Sequence, residues 1–309
     1  MAHHNSAILY ARVAKKPSIS QDNEGNYIYG MVYVHVVRGL RDAHDHIKYI
    51  RHDQPLVISK DPAILREMAG WTENDIVMIH GFVASRDIDK PSYCPNEECK
   101  DEDGHSPVKN IAKGNLIYIN PITAYLMKRY DNREDSIRDV VAHREISNMV
   151  YILGTLVSEP KKFITKKGLP VTQYKLAINR KYHVRTDNQD HKTDWPWVKS
   201  YGDQAVEDKL RLHIGSDVYI DGFIQARTIL RTTKCRCCGQ FYRWQDHCME
   251  IVPYAVEYGK FTYYSDEELE SMFDKTVEDI KQSVFAGNDK PGEDDNTDDL
   301  KVSDSDEEE

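Results

Sequence analysis

The chain repeats itself, and that constrains its fold more than any other feature. A constant shift of 141 positions lays Tyr33 on Tyr174, Asp53 on Asp194, Pro55 on Pro196, Val57 on Val198 and Ser59 on Ser200. The same shift carries Val77, Ile79, Gly81, Phe82 and Arg86 onto Val218, Ile220, Gly222, Phe223 and Arg227, and Cys94 onto Cys235. A shift held this long marks a duplicated folding unit. The first strand needs a shift of 143 (Pro17 onto Pro160) and the last a shift of 132 (Ile119 and Pro121 onto Ile251 and Pro253), so the length differences sit in loops.

Each copy reads as β-structure. Val218, Ile220 and Gly222 alternate with Tyr219, Asp221 and Phe223, a period of two that is the mark of a strand. Strands are expected near 7–14, 27–37, 54–59, 75–87 and 115–124, and again near 148–157, 171–180, 195–201, 216–228 and 248–257. A short helix precedes each fourth strand, at Pro62 to Ala69 and at Asp203 to Leu212. Five strands with a helix wedged before the fourth make an OB-fold. The expected fold is therefore all-β with short helices: two tandem OB-fold barrels, each with a cysteine-bearing loop between its fourth and fifth strands. Gly81 and Gly222 fall in mid-strand and mark either a bend or bulge or a close backbone approach without any bulge. Tyr174 and Phe223 read as core.

The expected domains are 1–127 and 148–262, joined by 128–147, an exposed charged linker with one apolar helical turn at Ile137, Val140 and Val141. A capping box at Ser265 opens an amphipathic helix over 263–286, with Leu269, Met272, Phe273, Val277, Ile280 and Val284 at helical spacing. It either packs on the second barrel or meets a partner. From 287 the chain is acidic and poor in apolar residues, hence disordered.

The net charge of −10 divides unevenly: −2 over residues 1–146, +6 over 147–262 and −14 over 263–309. A basic domain beside an acidic tail fits nucleic-acid binding. No apolar run approaches the ~18 residues of a membrane helix, and the N-terminus lacks a signal-peptide core. The expected location is the cytoplasm, where the six cysteines serve as thiols or metal ligands rather than disulfides.

Four pieces in order carry a resemblance: NMVYILGTLVSEP (148–160), VTQYKLAINRKY (171–182), TDWPWVKSYG (193–202) and GSDVYIDGFIQAR (215–227). Together they resemble the bacterial-type single-stranded-DNA-binding (SSB) protein family over about 148–258. The resemblance implies base stacking at Tyr182, Trp195 and Tyr201. Where the family often has a further Trp after the fourth strand, this chain has Ile229-Leu230. It also implies an assembly of four OB domains, here a homodimer, and an acidic tail that recruits replication and repair proteins. This tail ends Asp306-Glu307-Glu308-Glu309, without the family's apolar tip.

Stacking platforms are expected at Tyr182, Trp195, Trp197 and Tyr201, each of which could instead be a core aromatic. Phosphate contacts are expected from Lys161, Lys162, Lys166, Lys167, Arg180, Lys181, Arg185, Lys199, Arg227 and Arg231. Stacking tolerates any sequence, so the expected function is sequence-independent binding and protection of single-stranded DNA in replication, recombination or repair, without catalysis. RNA remains open, since OB surfaces bind both. The first copy has Gln54, Leu56 and Lys60 where the second has Trp195, Trp197 and Tyr201, so the second is expected to be the principal binding domain.

Two metal groups are expected, one per copy. Cys94, Cys99 and His105 form the first. Cys235 and Cys238, followed by Gly239 and returning through His247 or Cys248, form the second. Zinc takes such ligands tetrahedrally, and stiffening of the hairpin is the expected role. A zinc-dependent nucleic-acid enzyme is the rival reading, but no HExxH or H-x-E…PCxxC pattern is present. A structural adaptor that has lost DNA binding is the other.

Overall fold

The computed structural model describes residues 4–39, 50–180, 193–259, 271 and 273–278. The first half is built of β1 (His4–Val13), β2 (Ser18–Gln21), β3 (Tyr27–Val37), β4 (His52–Asp53), β5 (Leu56–Ser59), α1 (Pro62–Ala69), β6 (Ile76–Tyr93) and β7 (Lys109–Lys128). Strands pair in the ring β1–β3–β5–β7–β6–β1, with β5 and β7 parallel and all other pairs antiparallel. Two helices follow, α2 (Arg133–Ala142) and α3 (Arg144–Ser147). The second half repeats the plan with β8 (Met149–Leu156), β9 (Lys161–Ile164), β10 (Pro170–Asn179), β11 (Thr193–Asp194), β12 (Trp197–Tyr201), α4 (Gly202–Arg211), β13 (Asp217–Lys234) and β14 (Phe241–Tyr258). Its ring is β8–β10–β12–β14–β13–β8. Both have the connectivity of an OB-fold.

Each barrel is filled by alternate residues of its strands and closed by its helix. Asp61 caps α1 by accepting from the Ala63 and Ile64 amides, Pro62 starts the helix, and Ile64, Leu65 and Met68 turn inward. Helix α4 buries Ala205, Val206 and Asp208, and the last accepts hydrogen bonds from Tyr258 Oη at 2.7 Å and Gln204 Nε2 at 2.8 Å. Tyr174 and Phe223 are buried in the core, as their pattern suggests. Gly81 and Gly222 sit at bulges, and the backbone also approaches closely there, so the reading of close approach without a bulge does not hold. The register shifts at each, and an added Cβ would stand 2.2 Å from Asn120 O or 2.3 Å from Val252 O.

One alignment changes. Val32 pairs with Val57 as Tyr174 pairs with Val198, so Val32 and not Tyr33 occupies the place of Tyr174. Tyr33 is 41% exposed. A one-residue slip in a strand moves every side chain to the other face, and apolar identity alone cannot detect it.

The barrels meet in a pseudo-two-fold arrangement. Strand β1 pairs antiparallel with β8, and Ala7 lies opposite Val150, its own counterpart under the shift of 143. Asp53 Oδ1 accepts the amide of Ala226, while Asp194 Oδ1 accepts that of Ser85. Ser85 and Ala226 are themselves counterparts. The segment expected as an exposed linker is two helices packed on the first barrel: Val140 is fully buried, Tyr10 Oη donates to Asp139, and Ser147 Oγ donates to Tyr10 O and accepts from Val37 N. Residues 273–278 are helical. The rest of the expected C-terminal helix, except residue 271, and the acidic tail lie outside the described residues. Among the described residues no helix is long and apolar enough to cross a membrane.

Gly222→Ala must push β14 off β13, and urea unfolding is expected to show a loss of about 1–3 kcal/mol. A pH effect follows from His35, buried beside His52 with ring centres 4.8 Å apart. Burial first, then His52, Arg12 and Arg133, push its pKa down to about 3. An unfolded histidine titrates near ~6.5, so this contribution is whole above that pH and is lost as pH falls toward the folded value. Unfolding at about pH 5 is expected to show roughly 2 kcal/mol less stability than at about pH 7 from this residue, and His35→Asn to flatten that part of the profile.

Candidate nucleic-acid interface and metal centre

Strands β9, β10 and β12 of the second barrel lie side by side. Their register sets Phe163, Val171 and Tyr201 in one cross-strand row, Lys161, Gln173 and Lys199 in the next, and Lys175 and Trp197 in a third. Opposite residues in such rows share a face. Lys175 Nζ stands 5.7 Å from the Trp197 ring centre, and Lys199 Nζ 5.8 Å from that of Phe163. Lys161, Lys166 and Lys167 are exposed along the β9 edge and its turn. Phe163 is absent from the sequence-based set. Its signal was available: it stands opposite Val171 once Lys161–Ile164 is recognised as a strand rather than a loop of lysines.

Beneath Lys199 the face is held by Glu250, which is 6% exposed. Its carboxylate takes Lys199 Nζ at 3.3 Å, Arg227 Nε at 3.0 Å and Tyr201 Oη at 3.3 Å. Two cations on one anion leave a local charge of about +1 if all are ionised. Burial pulls the Lys199 pKa down, Glu250 opposes this, and Arg227 adds to it.

The cysteines converge at the tips of two long hairpin arms, the outer halves of β6–β7 and β13–β14. Cys94, Cys99, Cys235 and Cys238 have their sulfurs within 4.8 Å of one another. Cys94 Sγ is 3.8 Å from Cys238 Sγ, and Cys99 Sγ is 3.7 Å from Cys235 Sγ. A tetrahedral ion with metal–sulfur bonds of about 2.3 Å requires sulfur–sulfur edges of about 3.8 Å. The four thiols could thus hold a metal ion, and their donor set is soft. A turn makes one half of the site: Gly239 N donates to Cys235 O at 3.0 Å, with Gly239 at φ +75°. Amides of Cys238 and Cys237 aim at the Cys235 sulfur and lower its pKa to about 6. Burial, then the thiols of Cys238 and Cys235, push Cys99 up to about 12.

The single-strand binding protein family matches residues 147–236. That match covers most of the second barrel and none of the first. Among curated relatives, single-stranded DNA-binding protein 1 of Chlorobaculum tepidum is 28% identical over 81 residues, 26% of this chain and 50% of that protein. The single-stranded DNA-binding protein of Aquifex aeolicus is 31% identical over 75 residues, 24% of this chain and 51% of that protein. The chain spans about half the length of these relatives. The crystal structure of wild-type single-stranded DNA binding protein from Thermus aquaticus superposes with a TM-score of 0.47 at 10% identity, covering 86% of this chain and 97% of that one.

On the second barrel the sequence-based residues separate into groups. Trp197, Tyr201, Lys161, Lys199 and Arg227 come together on or beneath the face, and Lys162, Lys166 and Lys167 line its edge. Trp195 sits at the seam between barrels, its amide donating to Ser85 Oγ at 2.7 Å. Several expected phosphate cations already hold carboxylates: Arg180 with Asp194, Arg231 with Asp246, and Lys199 and Arg227 with Glu250. A basic residue reads alike in sequence whether its partner is a phosphate or a distant aspartate. Tyr182, Lys181 and Arg185 lie outside the described residues.

Among the described residues the expected metal groups are redistributed: the four thiols form one group, and His105 gathers with Asp101 and Asp103 in a second, more exposed one. Cys94 and Cys99 join Cys235 and Cys238 across the barrels. His105 instead lies 3.3 Å from Asp101, in an exposed turn. His247 Nδ1 is 2.9 Å from Thr228 Oγ1, and Cys248 Sγ is 3.5 Å from Asp246. Both belong to the β14 shaft rather than the tip.

Glu250→Gln leaves the buried Lys199 and the half-buried Arg227 without their anion, and is expected to cost about 3 kcal/mol in urea unfolding. Adding Lys199→Met should restore part of that loss.

Proposed function

We propose that the chain binds single-stranded DNA without sequence preference and without catalysis, through the β9–β10–β12 face of its second barrel. The observation that carries this reading is the row register itself. It sets Trp197, Tyr201 and Phe163 on one sheet face, threaded by Lys161, Lys175 and Lys199, in a domain matched by the single-strand binding protein family. Flat rings take bases by stacking, Lys161 and Lys175 follow the phosphates, and Lys199, buried on Glu250, supports the face from within. Both curated relatives bear the name of single-stranded DNA-binding proteins. The corresponding face of the first barrel is apolar: Leu56 and Ile58 stand where Trp197 and Lys199 do, beside Met31, Leu116 and Tyr118. That supports a subordinate role in DNA binding for the first barrel.

The metal at the four-thiol site is zinc. A closed set of four sulfurs leaves no open coordination position, which favours a structural over a catalytic ion. The remaining features rest on composition and family: a cytoplasmic homodimer in DNA replication, recombination or repair, with an acidic tail that competes with DNA for the basic face and meets partner proteins.

Titration of tryptophan fluorescence with oligo-dT and with duplex, at low and high salt, tests the reading. Expected are quenching by oligo-dT alone and a fall of log K against log salt of about 0.7 per phosphate neutralised. Trp197→Ala should weaken binding by about 1–3 kcal/mol. Equal affinity for duplex, or no binding of oligo-dT, would overturn it.

A further inference from the structure

We infer that the four thiols form one coordination clasp between the two barrels, and that filling the clasp strengthens single-strand binding. The inference rests on the zinc and single-strand readings above. It goes beyond them in making the metal a link between domains rather than a stiffener of one loop.

Each arm supplies two thiols, and two cannot complete a tetrahedral site. Cys94 and Cys99 come from the first arm, Cys235 and Cys238 from the second. The site therefore exists only while the arms lie together. What else holds them together is mostly polar. Lys90 reaches Asp246, Ser92 Oγ is 2.8 Å from Tyr242 Oη, and the Arg236 amide donates to Asn110 Oδ1 at 3.1 Å. Among the described residues the buried apolar cluster there contains Val108 and Tyr242 besides three of the cysteines, with Trp244 packed against it. The neutral hydrogen bonds among these contacts contribute little each, while the buried Lys90–Asp246 pair holds the shafts below the tips. A coordinated ion instead joins points 141 residues apart in sequence, and removes freedom from the separated arms as any crosslink across a long loop does.

The clasp bears on the binding face through the shaft of the first arm. An extended strand from Cys94 back to Ser85 covers roughly 30 Å. At Ser85 the shaft touches the lip of the second barrel's face: its amide donates to Asp194 at 2.7 Å, and its hydroxyl accepts from Trp195 N at 2.7 Å. Asp194 in turn holds Arg180, whose guanidinium lies 5.7 Å from the Phe82 ring centre on the same strand. A seated first arm fixes Trp195 and Arg180 beside the face, and a free arm releases them. Metal and single strand then favour the same closed arrangement, and each raises the affinity for the other.

The test uses the full chain, with metal content measured by mass spectrometry and oligo-dT affinity measured in parallel. Wild type is expected to carry one zinc per chain. Cys94→Ser/Cys99→Ser and Cys235→Ser/Cys238→Ser should each lose it entirely and weaken oligo-dT binding about ten-fold, and combining all four substitutions should add nothing. Cys248→Ser should keep the zinc. Chelation of the wild-type ion should reproduce the loss and zinc should reverse it, while far-UV circular dichroism stays that of folded barrels. Chelation needs no mutant to fold. Two ions per chain, or one retained by either pair variant, would overturn the clasp. Zinc lost with oligo-dT affinity unchanged would overturn its coupling to binding and leave the zinc reading standing. A chain that binds no zinc would overturn both, and two disulfides in its place would say why.

Discussion

Two buried carboxylates, Asp53 and Asp194, hold the molecule together as one body. Each takes the arginine of its own barrel, Arg38 or Arg180, and the amide of the other barrel's long fourth strand. Both are almost wholly buried. A buried charge is tolerable only when its lone pairs are filled, and here filling them requires both barrels. The arginines extend the exchange, Arg38 lying 4.6 Å from the Phe223 ring centre as Arg180 lies near Phe82. With β1 paired to β8, these reciprocal bonds set the angle at which the arms approach, and so bring four cysteines to one point.

Symmetry of backbone with asymmetry of side chain explains how one plan can serve two roles. The strand rings match, and the mid-strand glycines sit at the same bulge. The faces differ at a handful of positions. In the first barrel Leu56, Ile58, Met31 and Tyr118 form an apolar cluster that also takes in Met249 from the second barrel, and the Leu56 amide lies 3.3 Å from the Met249 sulfur. In the second barrel Trp197, Lys199, Gln173 and Glu250 occupy the matching rows, and the surface is aromatic and charged.

Local pattern made much of this legible. Helix α1 was readable to its ends because Asp61 and Pro62 are start signals that act within one turn. Gly81 and Gly222 were readable as places where a side chain cannot fit. The slip at Tyr33 was not, since Val32 and Tyr33 are both apolar and only pairing with Val57 separates them. Nor were the ion pairs of Arg180, Lys199, Arg227 and Arg231, whose partners lie between 14 and 51 residues away. Phe163 stands among four lysines in the sequence, and only its pairing with Val171 sets it on the face.

The sequence by itself determined the strands, the helix that closes each barrel, the duplication and the family resemblance of the second copy, because these rest on periodicity and on motifs a few residues long. It also determined that six cysteines cluster near the fourth and fifth strands. Only the tertiary structure decided that Cys94 and Cys99 share a site with Cys235 and Cys238, and that His105, His247 and Cys248 do not. A ligand set is a distance in space, and two barrels related by a pseudo-two-fold bring together residues 141 positions apart that no local spacing connects.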